Sequence, residues 1–312
     1  MTKGFITLAT GDERYFKMAL NLLKSYRLFS DDPLPFAILA DRHNQYTEQF
    51  DEVIILENAK CSYLDKLSIL INCPYDETIF IDADCLAYHD LNDYWNVCDF
   101  SNTLTCFGNS FPLDNKTNGY FKKEDIGEFT NQIKFIPHVH GGVYFIKNNS
   151  QCNDIFKLAM KINENYNNYK FTHFDKHPAD ESILALCMAV FDCRPIVEKG
   201  WHLIFYPDLK NFKADILQGT NSCMKYGEFV TNAYLIHWQN FFTNKTAYKS
   251  EVDKLNIMYQ RKMKFVNSSE IGNFDNFTRF KLKCKIVIYK VIDVFIDTYF
   301  LFKSKLWHLI ND

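Results

Sequence analysis

Residues 75–84 read Tyr-Asp-Glu-Thr-Ile-Phe-Ile-Asp-Ala-Asp, and this stretch decides the fold class. Residues 78–81 form a short apolar run typical of a buried strand, and Asp82 and Asp84 follow at its end. Because the chain turns where a strand ends, both carboxylates can reach one hard cation such as Mg²⁺ or Mn²⁺. Such a cation can also bind a diphosphate and neutralise its charge. The alternative is a solvated turn, or a helix N-cap formed by Asp84.

The segments around this stretch alternate between strand and helix. Apolar runs predict strands at residues 4–10, 36–40, 53–56 and 78–81, and helical spacing predicts helices at 13–29 and 63–73. This alternation is typical of an α/β domain with a mostly parallel sheet. Ligands of such sheets gather at the carboxyl ends of the strands, where Thr10, Gly11, Asp41 and the two aspartates fall.

The second half of the chain has a weaker pattern. Residues 102–135 are polar and aromatic, which predicts an excursion or lid. Strands are expected at 143–146 and 235–236, and helices at 153–166 and 180–190.

Composition bounds the class of protein. The chain has 312 residues, of which 47% are hydrophobic and 23% charged, as expected for a globular protein. A formal net charge of −3 argues against a nucleic-acid partner, because no overall positive field would gather phosphates. The ten cysteines lack paired metal-ligand spacing, and the first residues lack the apolar region of a signal peptide. We therefore expect reduced cysteines and a cytoplasmic protein.

Residues 75–84 resemble the D-x-D strand of GT-A fold glycosyltransferases, most closely the bacterial lipopolysaccharide galactosyltransferase and glycogenin group. Further segments resemble that group in the same order, over roughly residues 4–240. They are residues 5–11 with Tyr15, residues 64–67, residues 140–146, residues 179–184 and His237. The resemblance implies an α/β GT-A fold (a Rossmann-like nucleotide-diphospho-sugar transferase) with a mostly parallel central sheet and a C-terminal helical tail.

The implied domain organisation is a catalytic domain at residues 1–250, followed by a helical extension at 251–312. Within the catalytic domain, residues 1–100 would bind the nucleotide-sugar and residues 101–250 would face the acceptor.

The resemblance also implies site residues. Asp82, Asp84 and His237 would bind the metal, and Asp180 and Glu181 would be catalytic. The residues expected to contact the nucleotide-sugar are Leu8, Ala9, Thr10, Gly11, Tyr15, Asp41, Lys66, Asp82, Ala83, Gly141 and Gly142.

Two departures from the group's pattern stand out. Glu181 replaces a glutamine, so the stereochemical outcome is not carried over. His237 is followed by Trp-Gln-Asn-Phe-Phe, without the group's glycine and Lys-Pro-Trp.

Each polar candidate has a purely structural alternative. Asp41 could be an exposed turn residue, and Lys66 could lie on a solvated helix face. Residues 10–11 could form an ordinary strand-to-helix turn, and residues 141–142 a tight turn that needs positive φ. Residues 180–181 could simply complement the dipole at the start of a helix.

The histidines could also have a purely structural role. His237 could be a hydrogen-bonded core residue, and no metal role is assigned to His138 or His140.

The expected activity is metal-dependent transfer of a sugar, with a hexose favoured, from a nucleotide-sugar to a glycan or glycolipid. UDP is the favoured nucleotide and Mn²⁺ or Mg²⁺ the cation. Two alternatives stay open: a sugar nucleotidyltransferase, and a catalytically inactive sugar- or lipid-binding module on the same fold.

The C-terminal tail combines cations with apolar residues over residues 279–307. This pattern predicts a helix that lies at an anionic membrane surface, and a helix packed on the catalytic domain is the alternative. Two acidic residues, Asp293 and Asp297, interrupt the run and make it a poor transmembrane span.

Overall fold

A six-stranded sheet forms the centre of the computed structural model, which describes residues 1–98, 100–114, 120–171, 173–174, 177–225 and 227–264. Its strands run in the order β3-β2-β1-β4-β7-β6. Their bounds are β1 Lys3–Ala9, β2 Phe36–Ala40, β3 Glu52–Ile55, β4 Glu77–Ile81, β6 Leu104–Phe111 and β7 Ile136–Lys147. The four strands β3, β2, β1 and β4 are parallel, whereas β7 is antiparallel to both β4 and β6. The prediction of an α/β fold with a mostly parallel sheet is confirmed.

Smaller sheets extend this centre. β5 (Cys85–Ala87), β10 (His202–Ile204) and β14 (Leu235–His237) form a three-stranded sheet in the order β10-β14-β5. β11 (Lys210–Asp215), β12 (Thr220–Lys225) and β13 (Glu228–Thr231) form an antiparallel one. β8 (His173–Phe174) pairs with β9 (His177–Pro178).

Five α-helices and several 3₁₀ segments lie in the described part of the chain. The α-helices are α1 Glu13–Phe29, α2 Ser150–Glu164, α3 Asp180–Val190, α4 Gln239–Phe242 and α5 Thr246–Lys264. The 3₁₀ segments are Thr47–Gln49, Tyr63–Ile71, Leu91–Asn96, Lys123–Asp125, Gly127–Phe129 and Tyr166–Asn168. The segment expected at the membrane, residues 279–307, lies outside the described residues.

The core lies on both faces of the central sheet. Successive residues of β1 point to opposite faces, so Phe5 joins one apolar cluster and Ile6 the other. Residues of α1 and α5 belong to the first cluster, and residues of α2 and α3 belong to the second. The two layers hold β4 rigidly, and therefore fix the position of the aspartates that follow it.

The prediction of an excursion over residues 102–135 is wrong where β6 lies. β6 pairs with β7 along the edge of the sheet, and its first residues, 104–108, are buried. Because both faces of this part of β6 are covered, Thr105 and Cys106 are as buried as their apolar neighbours. The alternation of polar and apolar residues that reveals a half-exposed strand is therefore missing.

The element at residues 63–73 also differs from the predicted α-helix. Tyr63–Ile71 is a 3₁₀ helix, which begins at a capping box formed by Ser62 and Asp65.

Candidate active site

The turn after β4 is held on both sides by backbone hydrogen bonds. The Asp82 N–H donates to the Gly142 carbonyl of β7 at 2.9 Å, and the Trp238 N–H donates to the Asp84 carbonyl at 3.0 Å. A third bond, from the Cys85 N–H to the Asp82 carbonyl, closes the turn. Both aspartates are therefore placed by the backbone of three different elements, whatever their side chains bind.

Asp82, Asp84 and His237 form a group that could hold a cation. One ligand atom from each lies within 4.8 Å of the others. The His237 Nε2 atom lies 3.1 Å from Asp84 Oδ1 and 3.8 Å from Asp82 Oδ2. Two carboxylates and one imidazole suit Mn²⁺ or Mg²⁺ with further oxygen ligands.

The pKa values of the two aspartates are shifted in opposite directions. Burial, reinforced by its acidic neighbours, raises the pKa of Asp82 above its ordinary value although Lys66 and His237 oppose the shift. Burial also opposes the charge on Asp84, but His237 outweighs it and lowers the pKa of that carboxyl. Despite burial, Asp84 and Asp82 raise the pKa of His237, so a cation that binds this ring must displace a proton.

Lys66 lies between two carboxylates rather than on a solvated helix face. Its Nζ atom lies 3.0 Å from Asp82 Oδ1 and 3.0 Å from Asp180 Oδ2, and it donates to the Gly141 carbonyl at 3.2 Å. Burial disfavours the charged lysine, but Asp180, Asp82 and Glu181 hold its pKa above the usual range. Lys66 is therefore a fixed positive charge that links β4, β7 and α3.

Asp180 and Glu181 begin α3, and hydrogen bonds hold Glu181 from two sides. The Gly141 N–H donates to Glu181 Oε1 at 2.9 Å, and the Tyr120 hydroxyl lies 2.8 Å from Oε2. Burial, followed by the charge of Asp180, raises the pKa of Glu181. Burial and Glu181 also raise the pKa of Tyr120, so the phenol stays protonated and can donate.

Gly141 and Gly142 lie inside β7, and neither has positive φ, so the tight-turn alternative is wrong. Their lack of a side chain serves another purpose. A Cβ atom at Gly141 would meet the Glu181 carboxylate, and one at Gly142 would lie 2.6 Å from His237 Nδ1. The glycines let both functional side chains approach the strand.

We expect Gly142→Ala to weaken Mn²⁺ binding at least about tenfold, a loss of about 1.4 kcal/mol. The added methyl group would lie 2.6 Å from His237 Nδ1 and would displace the ring from its position beside Asp82 and Asp84. Titration calorimetry with Mn²⁺ measures the change. Gly127→Ala is the control: it strains a positive-φ position, has open space around it and should leave cation affinity unchanged. Equal Mn²⁺ affinity in wild type and Gly142→Ala would contradict the expectation.

A single large cleft brings most of the sequence-predicted residues together. Its lining includes Leu8, Thr10, Tyr15, Lys66, Asp82, Ala83, Asp84, Gly141, Asp180, Glu181 and His237. Four predicted residues do not line it: Ala9, Gly11, Asp41 and Gly142. Asp41 instead accepts a hydrogen bond from the Gly11 N–H at 3.1 Å and pairs with Arg42 at 2.8 Å. Asp41 and Gly11 thus shape the loop behind the cleft.

Three residues of this region were not predicted. Asp65 is buried and accepts a hydrogen bond from Thr10 Oγ1 at 3.0 Å. Tyr120 contacts Glu181 from the stretch that was interpreted as an excursion, and His202 lies buried beside His237. Asp65 could have been found from the polar pair it forms with Lys66, whereas no local pattern marks Tyr120 or His202.

Four histidine rings form a row from the metal group toward the far side of the cleft. Ring centroids are 5.6 Å apart for His237 and His202, 6.0 Å for His202 and His140, and 6.2 Å for His140 and His138. Burial, followed by the influence of His237, His140 and Lys225, lowers the pKa of His202 well below its ordinary value, so its ring is neutral. Burial also lowers the pKa of His140 to about 4.

No family model and no curated protein matches the sequence. Solved structures do match. An active-site mutant of LgtC superposes with a TM-score of 0.51 at 15% identity, over 81% of this chain and 95% of that one. This chain has the GT-A fold.

Two further solved structures of GT-A glycosyltransferases give lower TM-scores. The galactosyltransferase LgtC in complex with donor and acceptor sugar analogs gives a TM-score of 0.49 at 13% identity, with 89% of this chain and 99% of that one covered. Glycosyltransferase GlyE of Streptococcus pneumoniae TIGR4 gives 0.43 at 17% identity, over 65% of this chain. The match spans 46% of the length of GlyE, a little under half.

In this fold, the cleft lies at the carboxyl ends of the parallel strands β1 and β4. Within the described residues, no helix combines the length and the apolar character that a membrane span requires.

Proposed function

We propose that this chain is a metal-dependent glycosyltransferase that uses a nucleotide-sugar as donor. The observation that carries the proposal is the grouping of Asp82, Asp84 and His237 at one edge of the cleft, beside the Asp180–Glu181 pair. Lys66 joins the two halves, because it contacts both Asp82 and Asp180. The GT-A fold is consistent with this chemistry.

Different residues of the chain would bind the cation, hold the carboxylates and contact the nucleotide. Asp82, Asp84 and His237 would hold the cation, which when bound neutralises charge on the departing diphosphate. Lys66 holds the side chains of Asp82 and Asp180 in place, because it pairs with both buried carboxylates. Leu8, Thr10, Tyr15 and Ala83 line the same cleft and offer contacts to the nucleotide.

Glu181 and Asp180 are the proposed catalytic pair. The Gly141 N–H and Tyr120 hydroxyl fix the Glu181 carboxylate in one orientation within the cleft. A carboxylate held in this way can act near the anomeric carbon as a base or nucleophile, while Asp180 orients the donor sugar. Burial keeps the pKa of Glu181 raised, which brings it closer to the range useful for proton transfer.

UDP is the proposed nucleotide and a hexose the proposed sugar. We expect purified protein with Mn²⁺ to hydrolyse UDP-sugars to free sugar and UDP, faster than the corresponding GDP- and CDP-sugars. The test is a panel of UDP-, GDP- and CDP-hexoses, with release of each nucleoside diphosphate measured in Mn²⁺ and in chelator. Glu181→Gln serves as the catalytic control. Faster release of GDP or CDP than of UDP would overturn the nucleotide assignment.

The same panel separates the rival activities. A sugar nucleotidyltransferase would form nucleotide-sugar and pyrophosphate from a nucleoside triphosphate and a sugar phosphate, and would leave UDP-sugars intact. An inactive binding module would bind donor without releasing UDP.

The proposed acceptor is a glycan or glycolipid, with the protein in the cytoplasm at the inner face of the membrane. The basic and apolar pattern of residues 279–307 supports membrane attachment. We expect the full chain to bind anionic vesicles, and high salt to weaken the binding without abolishing it, because only the electrostatic part is screened. Vesicle sedimentation measures this, with neutral phosphatidylcholine vesicles as the control. If the full chain ignores anionic vesicles at low salt, the membrane proposal is wrong.

A further inference from the structure

Cys85, His202 and His237 form a second cluster of potential metal ligands behind the proposed cation site. They come from the three strands of one sheet, β5, β10 and β14. Cys85 lies directly opposite His237 in the antiparallel pair β5–β14. Ile204 lies opposite His237 in the parallel pair β10–β14, so His202, two residues earlier, shares the same face. One ligand atom from each of the three lies within 4.8 Å of the others.

Three ring nitrogens of this cluster are buried and have no hydrogen-bond partner among the described residues. His202 is 2% exposed, and within the described residues neither of its ring nitrogens has a hydrogen-bond partner. His237 Nδ1 likewise has no partner there. A buried polar atom without a hydrogen bond costs about 1–3 kcal/mol, so three such atoms at one place call for a ligand.

A buried pair of imidazoles often satisfies its nitrogens by bonding to carboxylates or backbone carbonyls. The carboxylates of the proposed cation site do this for the other nitrogen of His237, because Nε2 lies 3.1 Å from Asp84 Oδ1. His202 has the neutral ring that a metal ligand requires. Its ring neighbours include Phe107, His140 and His237, and none of the described residues accepts a hydrogen bond from its ring.

We propose that Cys85, His202 and His237 form a site for a borderline-soft divalent cation such as Zn²⁺, distinct from the site of the hard cation at Asp82 and Asp84. One sulfur and two imidazole nitrogens are a ligand set typical of zinc. Zinc–ligand bonds are about 2.0–2.3 Å long, so small side-chain rotations would draw the three atoms onto one ion. His202 and His237 both line the cleft, from which a water molecule supplies a fourth ligand.

Binding is balanced by the release of protons. Burial, followed by the charges of Asp84 and Asp82, raises the pKa of the Cys85 thiol, so the cation itself must displace this proton to solvent before Cys85 binds as thiolate. His237 likewise gives up the proton that Asp84 otherwise stabilises. His202 binds as it is, and no electron is transferred. His237 is shared, with Nε2 toward Asp84 and Nδ1 open to the second site.

The test is a titration of the full chain with Co²⁺ and Zn²⁺ after treatment with chelator. A thiolate bound to Co²⁺ gives an intense ligand-to-metal band in the near ultraviolet, which a site made of carboxylates and histidine does not give. We expect this band in wild type, and its loss on addition of stoichiometric Zn²⁺. Cys85→Ser should abolish the band, and His202→Gln should weaken Zn²⁺ binding at least about tenfold.

Two variants serve as controls. Cys61 is the exposed cysteine that lines the cleft, so Cys61→Ser should keep the band if Cys85 is the ligand. Cys98→Ser changes a cysteine that does not line the cleft and should also keep it. Loss of the band in either control, or its persistence in Cys85→Ser, would overturn the proposal. If Cys85→Ser does not fold, His202→Gln decides, and unchanged Zn²⁺ affinity in that variant would equally overturn it.

This test is independent of the proposed function. The cobalt band reports only on Cys85, His202 and His237, whereas hydrolysis of UDP-sugars in Mn²⁺ reports on the catalytic cleft. Either proposal can fail while the other survives.

Discussion

We expect Asp84→Asn to lower turnover of the nucleotide-sugar by about three orders of magnitude, corresponding to about 4 kcal/mol of transition-state stabilisation. The amide keeps the size of the side chain but removes the negative charge that would hold the proposed cation. The fold should be retained, since the backbone bond between the Asp84 carbonyl and the Trp238 N–H does not involve the carboxylate. Steady-state release of UDP in saturating Mn²⁺ measures turnover, and circular dichroism checks the fold.

Asp31→Asn is the matched control, because this substitution makes the same chemical change at an exposed residue that does not line the cleft. It should keep wild-type turnover. Full activity of both Asp82→Asn and Asp84→Asn in the presence of chelator would show that no metal site exists at this strand end.

Lys66→Met is expected to destabilise the fold by about 3–5 kcal/mol, because it leaves the carboxylates of Asp82 and Asp180 buried without their shared cation. The methionine fills the space of the lysine stem, so the loss is mainly electrostatic. Turnover should fall as well, because Asp82 and Asp180 would lose the side chain that holds both of them in the cleft. Urea unfolding at pH 7 gives the change in the free energy of unfolding.

The pH dependence of this variant has a definite sign. Burial already raises the pKa of Asp82, and removal of Lys66 raises it further above its unfolded value, so the native state binds more protons than the unfolded state. The free energy of unfolding of Lys66→Met should therefore fall as the pH rises, and be larger near about pH 5 than near about pH 8.

Lys134→Met is the matched control for Lys66→Met. Lys134 pairs with Asp192 at 2.7 Å, but its side chain is 71% exposed, and exposed pairs contribute about 0–1 kcal/mol. Equal stability of Lys66→Met and Lys134→Met would contradict the role assigned to the buried lysine.

The parts of the fold that could be predicted are those whose signal is local. β4 and its two aspartates stand out because a short apolar run meets an abrupt change to charge. The parallel strand β2 is apolar throughout, and β1 is largely apolar after Lys3, since both strands are covered on both faces. The pattern of β6 is harder to recognise, because a buried threonine and a buried cysteine stand among its apolar residues.

The site residues that could be predicted lie at a recognisable strand end or in a segment that resembles the family pattern. Lys66 is one of them, but its two carboxylate partners come from the end of β4 and from α3, elements distant in sequence that only the folded sheet brings together. Tyr120 and His202 reach the site through such long-range contacts alone. The cluster of Cys85, His202 and His237 has no signature in the sequence, because Cys85 lies more than a hundred residues from both histidines and no spacing rule joins the three.

Calorimetric titration of the full chain with UDP, in Mn²⁺ and in chelator, tests the central claim most directly. If Asp82, Asp84 and His237 hold a cation that binds the diphosphate, UDP should bind in Mn²⁺, and the heat of binding should vanish in chelator and in Asp84→Asn. UDP that binds with the same affinity in chelator, or in Asp84→Asn, would contradict the account.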